Sequence, residues 1–167
     1  MKFEWKEIKN NEGEIINAWL TVADRQNLCM TDKSWQETAN DIKDCLKSMK
    51  NGQFRNVIGY LNNQPAVAMM FGVEHSGDIL NLYNIVVNPT FRHKGVAKQA
   101  VMSLIYNAEK EFNLKPTYKQ IKASVVPKNT ISKNLFFDSS FTSFQYDGEY
   151  LVYTKYFQKN YDSDITK

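Results

Sequence analysis

The sequence predicts an α/β fold, a mixed, mostly antiparallel twisted sheet with flanking helices, in the order β-α-α-β-β-β-α-β-α-β-β. Three observations carry this expectation. The 167 residues are 43% hydrophobic and 23% charged, the balance of one folded domain rather than of a disordered chain. The hydrophobic period changes along the chain, from helical spacing near the N-terminus to short β-rich runs and back. Two apolar runs, Ile79 to Val87 and Ile121 to Val126, flank a helical stripe, and such a βαβ unit places its strands parallel.

Taken in order, Phe3 to Ile8 alternates apolar and charged residues, the pattern of a half-buried strand. Asn10 or Asn11 can cap a helix whose apolar positions Ile15, Ile16, Trp19, Leu20 and Ala23 recur at helical spacing. Thr31, Asp32 or Ser34 can cap the next, with Trp35, Ala39, Ile42, Leu46 and Met49 along one face and Asn51-Gly52 as its stop. Val57 to Leu61 and Ala66 to Val73 are strands joined antiparallel by the turn residues Asn62-Asn63-Gln64-Pro65. After a second turn at Ser76-Gly77-Asp78, Ile79 to Val87 is apolar on both faces in its second half, as a covered central strand is. The helix from Gly95 to Phe112 buries Val96, Ala100, Val101, Leu104, Ile105 and Ala108. Ile121 to Val126 is a second central strand and Asn129 to Asp138 a short helix. Phe141 to Tyr146 and Tyr150 to Tyr156 close the chain as a hairpin about Asp147-Gly148. Residues 1–167 read as a single domain ending in a polar tail over 160–167.

The charge balance excludes several classes. Twenty-one Lys and Arg against 18 Asp and Glu leave +3, too little to argue for a nucleic-acid or membrane partner. No run of 18 apolar residues is present, and the opening Met1-Lys2-Phe3-Glu4-Trp5-Lys6 lacks an apolar signal core, so a cytoplasmic location is expected. Cys29 and Cys45 make neither a disulfide framework nor a metal site and read as reduced thiols with a packing role.

The segment that carries chemistry is Ile85-Val86-Val87-Asn88-Pro89-Thr90-Phe91-Arg92-His93-Lys94-Gly95-Val96-Ala97. A strand ends at Val87, and Pro89 has no amide proton with which to extend its pairing. A basic loop then opens a long helix, whose first turn offers backbone amides and the positive end of its dipole. Gly95 permits a tight turn and lets a phosphate approach the backbone, and Ala97 stays small where a ligand crosses the helix end. Arg92, His93, Lys94 and Lys98 add positive charge, so a diphosphate suits the arrangement. Neither G-x-x-x-x-G-K-[ST] nor G-x-G-x-x-G occurs, which sets aside the P-loop and the dinucleotide fingerprint. The competing reading is an ordinary strand–turn–helix with a solvated basic corner; the placement of R-x-x-G-x-A directly after an Ile-x-Val-x-Pro strand end favours the anion site.

Through these residues the sequence resembles the GNAT superfamily of N-acetyltransferases. It matches the acetyl-CoA signature as Ile85-x-Val87-x-Pro89-x-Phe91-Arg92-x-x-Gly95-x-Ala97. Ala123-Ser124-Val125-Val126-Pro127-Lys128-Asn129 is similar to the family's next strand with its Pro-x-Asn ending. Ser132-Lys133-Asn134-Leu135-Phe136 follows, and Ser140-Phe141 stands where the family commonly has Gly-Phe; the likeness spans residues 3–157. The resemblance implies that acetyl-CoA, the acyl donor, binds where two parallel strands splay apart. Ile85, Val86 and Val87 would then lie along the pantetheine arm. The amides of Arg92, His93, Lys94, Gly95, Val96 and Ala97, with Lys98, would hold the pyrophosphate. Asn129 would bond the pantetheine side, although it can equally cap the helix it opens, and Phe136 would border the thioester. The implied reaction is direct transfer to the amine of a small molecule, peptide or protein, with the oxyanion held by a strand amide near Val87, no covalent enzyme intermediate and no metal. A homodimer is compatible with it.

Two departures bear on the chemistry. The family often has a Leu-Tyr pair that supplies a general acid, and here the pair is Leu135-Phe136, which has no proton to give. Many relatives place a carboxylate on the strand before the signature, where Asn81 and Tyr83 stand here. Asn81 cannot be a base, and a tyrosine, with an ordinary pKa of about 10, is a poor one; Tyr83 is a candidate proton donor to the departing sulfur or else a core aromatic. Ser139 or Ser140 could supply a hydroxyl, and His75 beside Glu74 is a candidate base or a solvated turn pair. Trp19, Trp35, Phe136, Phe137, Phe141, Phe144 and Tyr146 either line an acceptor pocket or fill the core, and Asp24 and Asp32 could greet an amine. Two functions compete with the acetyltransferase: a non-catalytic acyl-CoA-binding module, and a toxin that acetylates charged tRNA, against which the small net charge and Phe136 both argue.

Overall fold

The computed structural model describes residues 1–9, 11–49, 52–74, 78–114 and 118–157. Among the described residues there are seven strands, β1 (Glu4–Glu7), β2 (Gln53–Leu61), β3 (Gln64–Glu74), β4 (Ile79–Val87), β5 (Gln120–Val125), β6 (Ser143–Tyr146) and β7 (Leu151–Tyr156). They form one sheet in the order β1-β2-β3-β4-β5-β7-β6. Every pairing is antiparallel except β4 with β5, which is parallel, as the βαβ pattern requires.

The N-terminal helical region departs from the expected single helix. It is split into α1 (Gly13–Asn17) and α2 (Val22–Asn27). Thr21 breaks it by taking extended backbone and building a capping box: its hydroxyl accepts from the Asp24 amide, and the Asp24 carboxylate accepts from the Thr21 amide. Helix α1 starts after Glu12 with no side-chain cap, so Asn11 does not cap it; the alternative cap Asn10 lies outside the described residues. Helix α3 (Trp35–Lys47) is capped by Ser34 in a second capping box with Glu37. Met49 lies past its end, and Asn51 of the expected stop is outside the described residues. The same holds for Ser76 and Gly77 of the second turn and for the tail 160–167.

Helix α4 (Val96–Phe112) crosses one face of the sheet, and Arg55 of β2 donates to its last carbonyls at Phe112 (2.9 Å) and Asn113 (3.2 Å), where a cation complements the helix dipole. Helix α5 (Thr130–Asp138) follows β5. Alternation along β3 separates two cores. Val67, Met69, Phe71 and Val73 pack with Val101, Leu104, Phe112 and Phe136 beneath α4 and α5. Ala68 and Met70 pack with Ile16, Trp19, Trp35 and Ala39 beneath the N-terminal helices.

The register between β3 and β4 steps from Met70↔Asn84 to Phe71↔Leu82, so Tyr83 is the extra residue of a β-bulge. The bulge exchanges the faces of β4. Leu80 and Leu82 belong to the α4 core, whereas Val86 belongs to the core of the N-terminal helices. Both faces of this strand are covered, which is why its sequence reads apolar throughout its second half. No helix among the described residues is long and apolar enough to cross a membrane.

Candidate active site

The parallel pairing of β4 with β5 is confined to Ile79↔Gln120, Leu80↔Ile121 and Asn81↔Lys122. Beyond Asn81 the two strands part, while β5 stays paired to β7 from Gln120 to Val125. The gap is a cleft of about 270 Å³ that passes between the strands. Thr38 and Ile42 of α3 border it on one side and Asn129, Ser132 and Phe136 on the other. Tyr83 and Ile85 of β4 and Ser124 and Val125 of β5 form its walls. Of the residues singled out in the sequence, Tyr83, Ile85, Asn129 and Phe136 are therefore brought together.

Val86 is buried in the core of the N-terminal helices, and the Val87 carbonyl accepts from Arg92 Nε at 3.2 Å. A 3-10 turn at Pro89–Phe91 then leads the chain into the basic loop. His93 (φ 60°) and Gly95 (φ 75°) both take left-handed backbone. Gly95 is the N-cap of α4 and offers no side chain to the helix; the first helical bond is Gln99 to its carbonyl at 3.0 Å. The amides of Val96, Ala97 and Lys98 thus stand at the open end of a 17-residue helix. A Cβ built on Gly95 would meet only Met1 Cε, at 3.8 Å, so the glycine answers a backbone demand and leaves space outside it open.

The basic residues of the loop and the first turn of α4 divide into two pairs. Arg92 is turned inward: besides Val87 it bonds the Trp19 carbonyl (2.9 Å) and Asp24 Oδ2 (3.1 Å), and its own amide bonds the Pro89 carbonyl. Lys94 folds back over Phe91 and bonds the Thr90 carbonyl. His93 and Lys98 are exposed. Asp24, expected from the sequence as a residue to meet an amine, instead anchors Arg92. Burial works to raise its pKa, but bonds from Thr21 and Arg92 outweigh burial and hold the carboxyl below its ordinary value.

Asn129 is buried and caps α5, accepting from the Ser132 amide at 3.1 Å. Phe136 is a core residue, packed on Phe141 (5.0 Å between ring centres) and Tyr153 (5.8 Å), with one edge on the cleft. Ser139 is fully buried, and its hydroxyl donates to the Leu135 carbonyl, so it is no surface turn residue. Ser140 sits at φ 64°, which explains why glycine suits that place in the related pattern. Trp19 and Trp35 are core, whereas Phe137, Phe144 and Tyr146 project into solvent.

Tyr83 donates its hydroxyl proton to Glu74 Oε1 at 2.9 Å. Burial, then the Glu74 charge and this hydrogen bond, push the phenol far above its ordinary pKa. Glu74 ends β3; His75 beside it lies outside the described residues. Cys29, read from the sequence as a packing thiol, and Tyr150, given no site role there, line the cleft from segments 121 residues apart and meet at 3.6 Å between Sγ and the phenol oxygen. That contact, followed by a hydrogen bond to Glu149, raises the Tyr150 pKa. Both cysteines are exposed and free, which corrects the packing role assigned to them; Cys29 takes φ 55°, a turn position. No local pattern marks such a contact, because it exists only once the closing hairpin meets the loop before α3.

No protein-family model matches the chain, and no curated protein matches it in sequence. Solved structures match its shape. The aminoglycoside acetyltransferase AAC(6')-Ib, in complex with coenzyme A, superposes with a TM-score of 0.69 at 14% identity, over 93% of this chain and 95% of that one. The N-acetyltransferase PseH of Campylobacter jejuni gives 0.61 at 16% identity over 92% and 97%. The GNAT domain of PAT from S. lividans gives 0.65 at 10% identity over 93% and 90%. The fold is that of the GNAT acetyltransferases. Within that fold, the particular marks of this chain are the bulged Tyr83 bonded to Glu74 and the ring of Phe136 at the cleft edge.

Proposed function

We propose that the protein is an acetyl-CoA-dependent N-acetyltransferase that passes the acetyl group directly to a primary amine. The observation that carries this reading is the cleft opened where β4 and β5 part, at the strand end that leads into the uncapped N-terminus of α4. The donor set suits the ligand. The amides of Val96, Ala97 and Lys98 with exposed His93 and Lys98 would hold a diphosphate, and Ile85, Asn129 and Phe136 would border the pantetheine arm and thioester. Val86 and Arg92 act indirectly, one by packing the strand, the other by fixing its end to Asp24 of α2. Acetyl-CoA supplies an acyl group on an alkyl thiol, whose thiolate is a far better leaving group than an alkoxide or amide ion and a tolerable one without a donor at Phe136.

The acceptor would reach the thioester from the α3 side, past Thr38 and Ile42. One structure of the neighbour AAC(6')-Ib holds coenzyme A with kanamycin, which supports a small-molecule amine, and a peptide amine fits the same reading. The second reading, a CoA-binding module without turnover, draws on Phe136, whose buried ring has no proton to donate.

Calorimetry with CoA tests the site. Gly95→Glu places a carboxylate beside the helix amides and should weaken CoA by at least about tenfold, equivalent to about 1.4 kcal/mol. Gly95→Asn, which tolerates left-handed backbone without adding charge, should lose less. Unchanged affinity in a folded Gly95→Glu variant would sink the assignment.

A further inference from the structure

We propose that Glu74, acting through Tyr83, receives the proton that the attacking amine must lose. This inference rests on the acetyltransferase reading and adds to it the base that the strand before the signature lacks. Asn81 holds the place where a carboxylate was sought, and it has no basic group. The carboxylate arrives instead from the neighbouring strand. Glu74 is the last residue of β3, and its Oε1 lies 2.9 Å from the Tyr83 hydroxyl. Tyr83 in turn lines the cleft between the parted strands, and it does so because the bulge in β4 places it there as the extra residue. The groups acting on the phenol are Glu74 of β3, Asn81 of β4 and Cys45 of α3, and Glu74 is the one anionic partner among them that accepts its hydrogen bond.

The arrangement suits a relay and suits a simple base poorly. A phenol held protonated cannot by itself take a proton. It can accept one on its oxygen while its own passes to the carboxylate. As the amine nitrogen forms its bond to the acetyl carbon, that nitrogen becomes cationic. Its proton moves to Tyr83 Oη as the Tyr83 proton moves to Glu74. The carbon–sulfur bond then breaks and its electron pair leaves on the CoA sulfur, which takes a proton from water. Glu74 returns its proton to solvent, so the net change is amide plus thiol from amine plus thioester. Tyr83 is the catalytic residue, since it touches the amine, and Glu74 is the residue that positions and discharges it. General-base help of this kind contributes on the order of 10²–10⁴-fold.

The test uses the full chain with acetyl-CoA and three amines, kanamycin, spermidine and a lysine-containing peptide, reading thiol release across pH. For the fastest amine, kcat should fall on the acid side. Glu74→Gln keeps an acceptor for the Tyr83 hydroxyl and removes the base; it should lose on the order of 10²-fold in kcat and abolish that acid limb, with CoA affinity unchanged. Tyr83→Phe should lose as much, and the double variant no more than either alone. A purely structural role would lower stability without moving the limb. Wild-type kcat and pH profile in both variants would overturn the relay and leave the acetyltransferase reading standing. Thiol release absent from the wild type with every amine, while CoA still binds, would overturn both.

Discussion

Arg92 shows how a residue can match a ligand-binding pattern and still serve the fold. Its guanidinium joins the end of β4 (Val87), the turn after α1 (Trp19) and the first turn of α2 (Asp24). A planar fork is needed to hold three oxygens at once, and a lysine ammonium cannot span them. Arg92→Lys should therefore cost about 1–3 kcal/mol in denaturant melts at pH 7. The deficit should shrink in acid. Asp24 has its folded pKa lowered, so its contribution is complete above its unfolded value of about 3.9 and is lost as pH falls through the folded value. Melts that show the same deficit at pH 3 as at pH 7 would contradict the role given to this ion pair. The sequence displayed the basic cluster, yet it could not show which cations turn inward. That depends on Thr21, Trp19 and Asp24, which lie about 70 positions upstream and became neighbours of Arg92 only because Thr21 breaks the helix.

At the level of elements, the caps of α3 and α5 were legible, because capping is decided within four residues. Ser34 with Glu37 and Asn129 with Ser132 behave as their local chemistry directs. Asn129→Ala should lower stability by about 1 kcal/mol by freeing the first turn of α5, and should weaken CoA as well if its amide also meets the pantetheine arm. Calorimetry beside a thermal melt separates the two effects; lost stability with unchanged affinity would confine Asn129 to capping. The bulge at Tyr83 was not legible. Both faces of Ile79–Val87 are covered, so its apolar residues do not single out one face, and the three-residue step from Asn81 to Asn84 is too slight a mark to place a bulge. The division of the first helix at Thr21 was missed for a similar reason: Ile15, Ile16, Trp19, Leu20 and Ala23 keep helical spacing across it, although Thr21 and Asp24 already stood at capping-box spacing.

For the whole molecule, the crossover from β4 through α4 to β5 determines the rest. A parallel pair joined by a helix must lie side by side, and this pair lies side by side for only three residues before parting. The sheet is covered on both faces where the strands part, so the opening is a cleft through the sheet. The parallel pairing was legible from hydrophobic period and element order. The parting was implied only by the resemblance, since no composition marks the place where hydrogen bonds between strands cease. The central claim is that coenzyme A occupies this cleft with its pyrophosphate on the first turn of α4. Backbone amide NMR of the full chain, titrated with CoA, tests it most directly. Saturable shifts should appear at Val96, Ala97 and Lys98, at Ile85 on β4, and at Asn129 across the cleft. Saturable binding whose shifts leave these amides untouched, or no binding at all, would contradict the account.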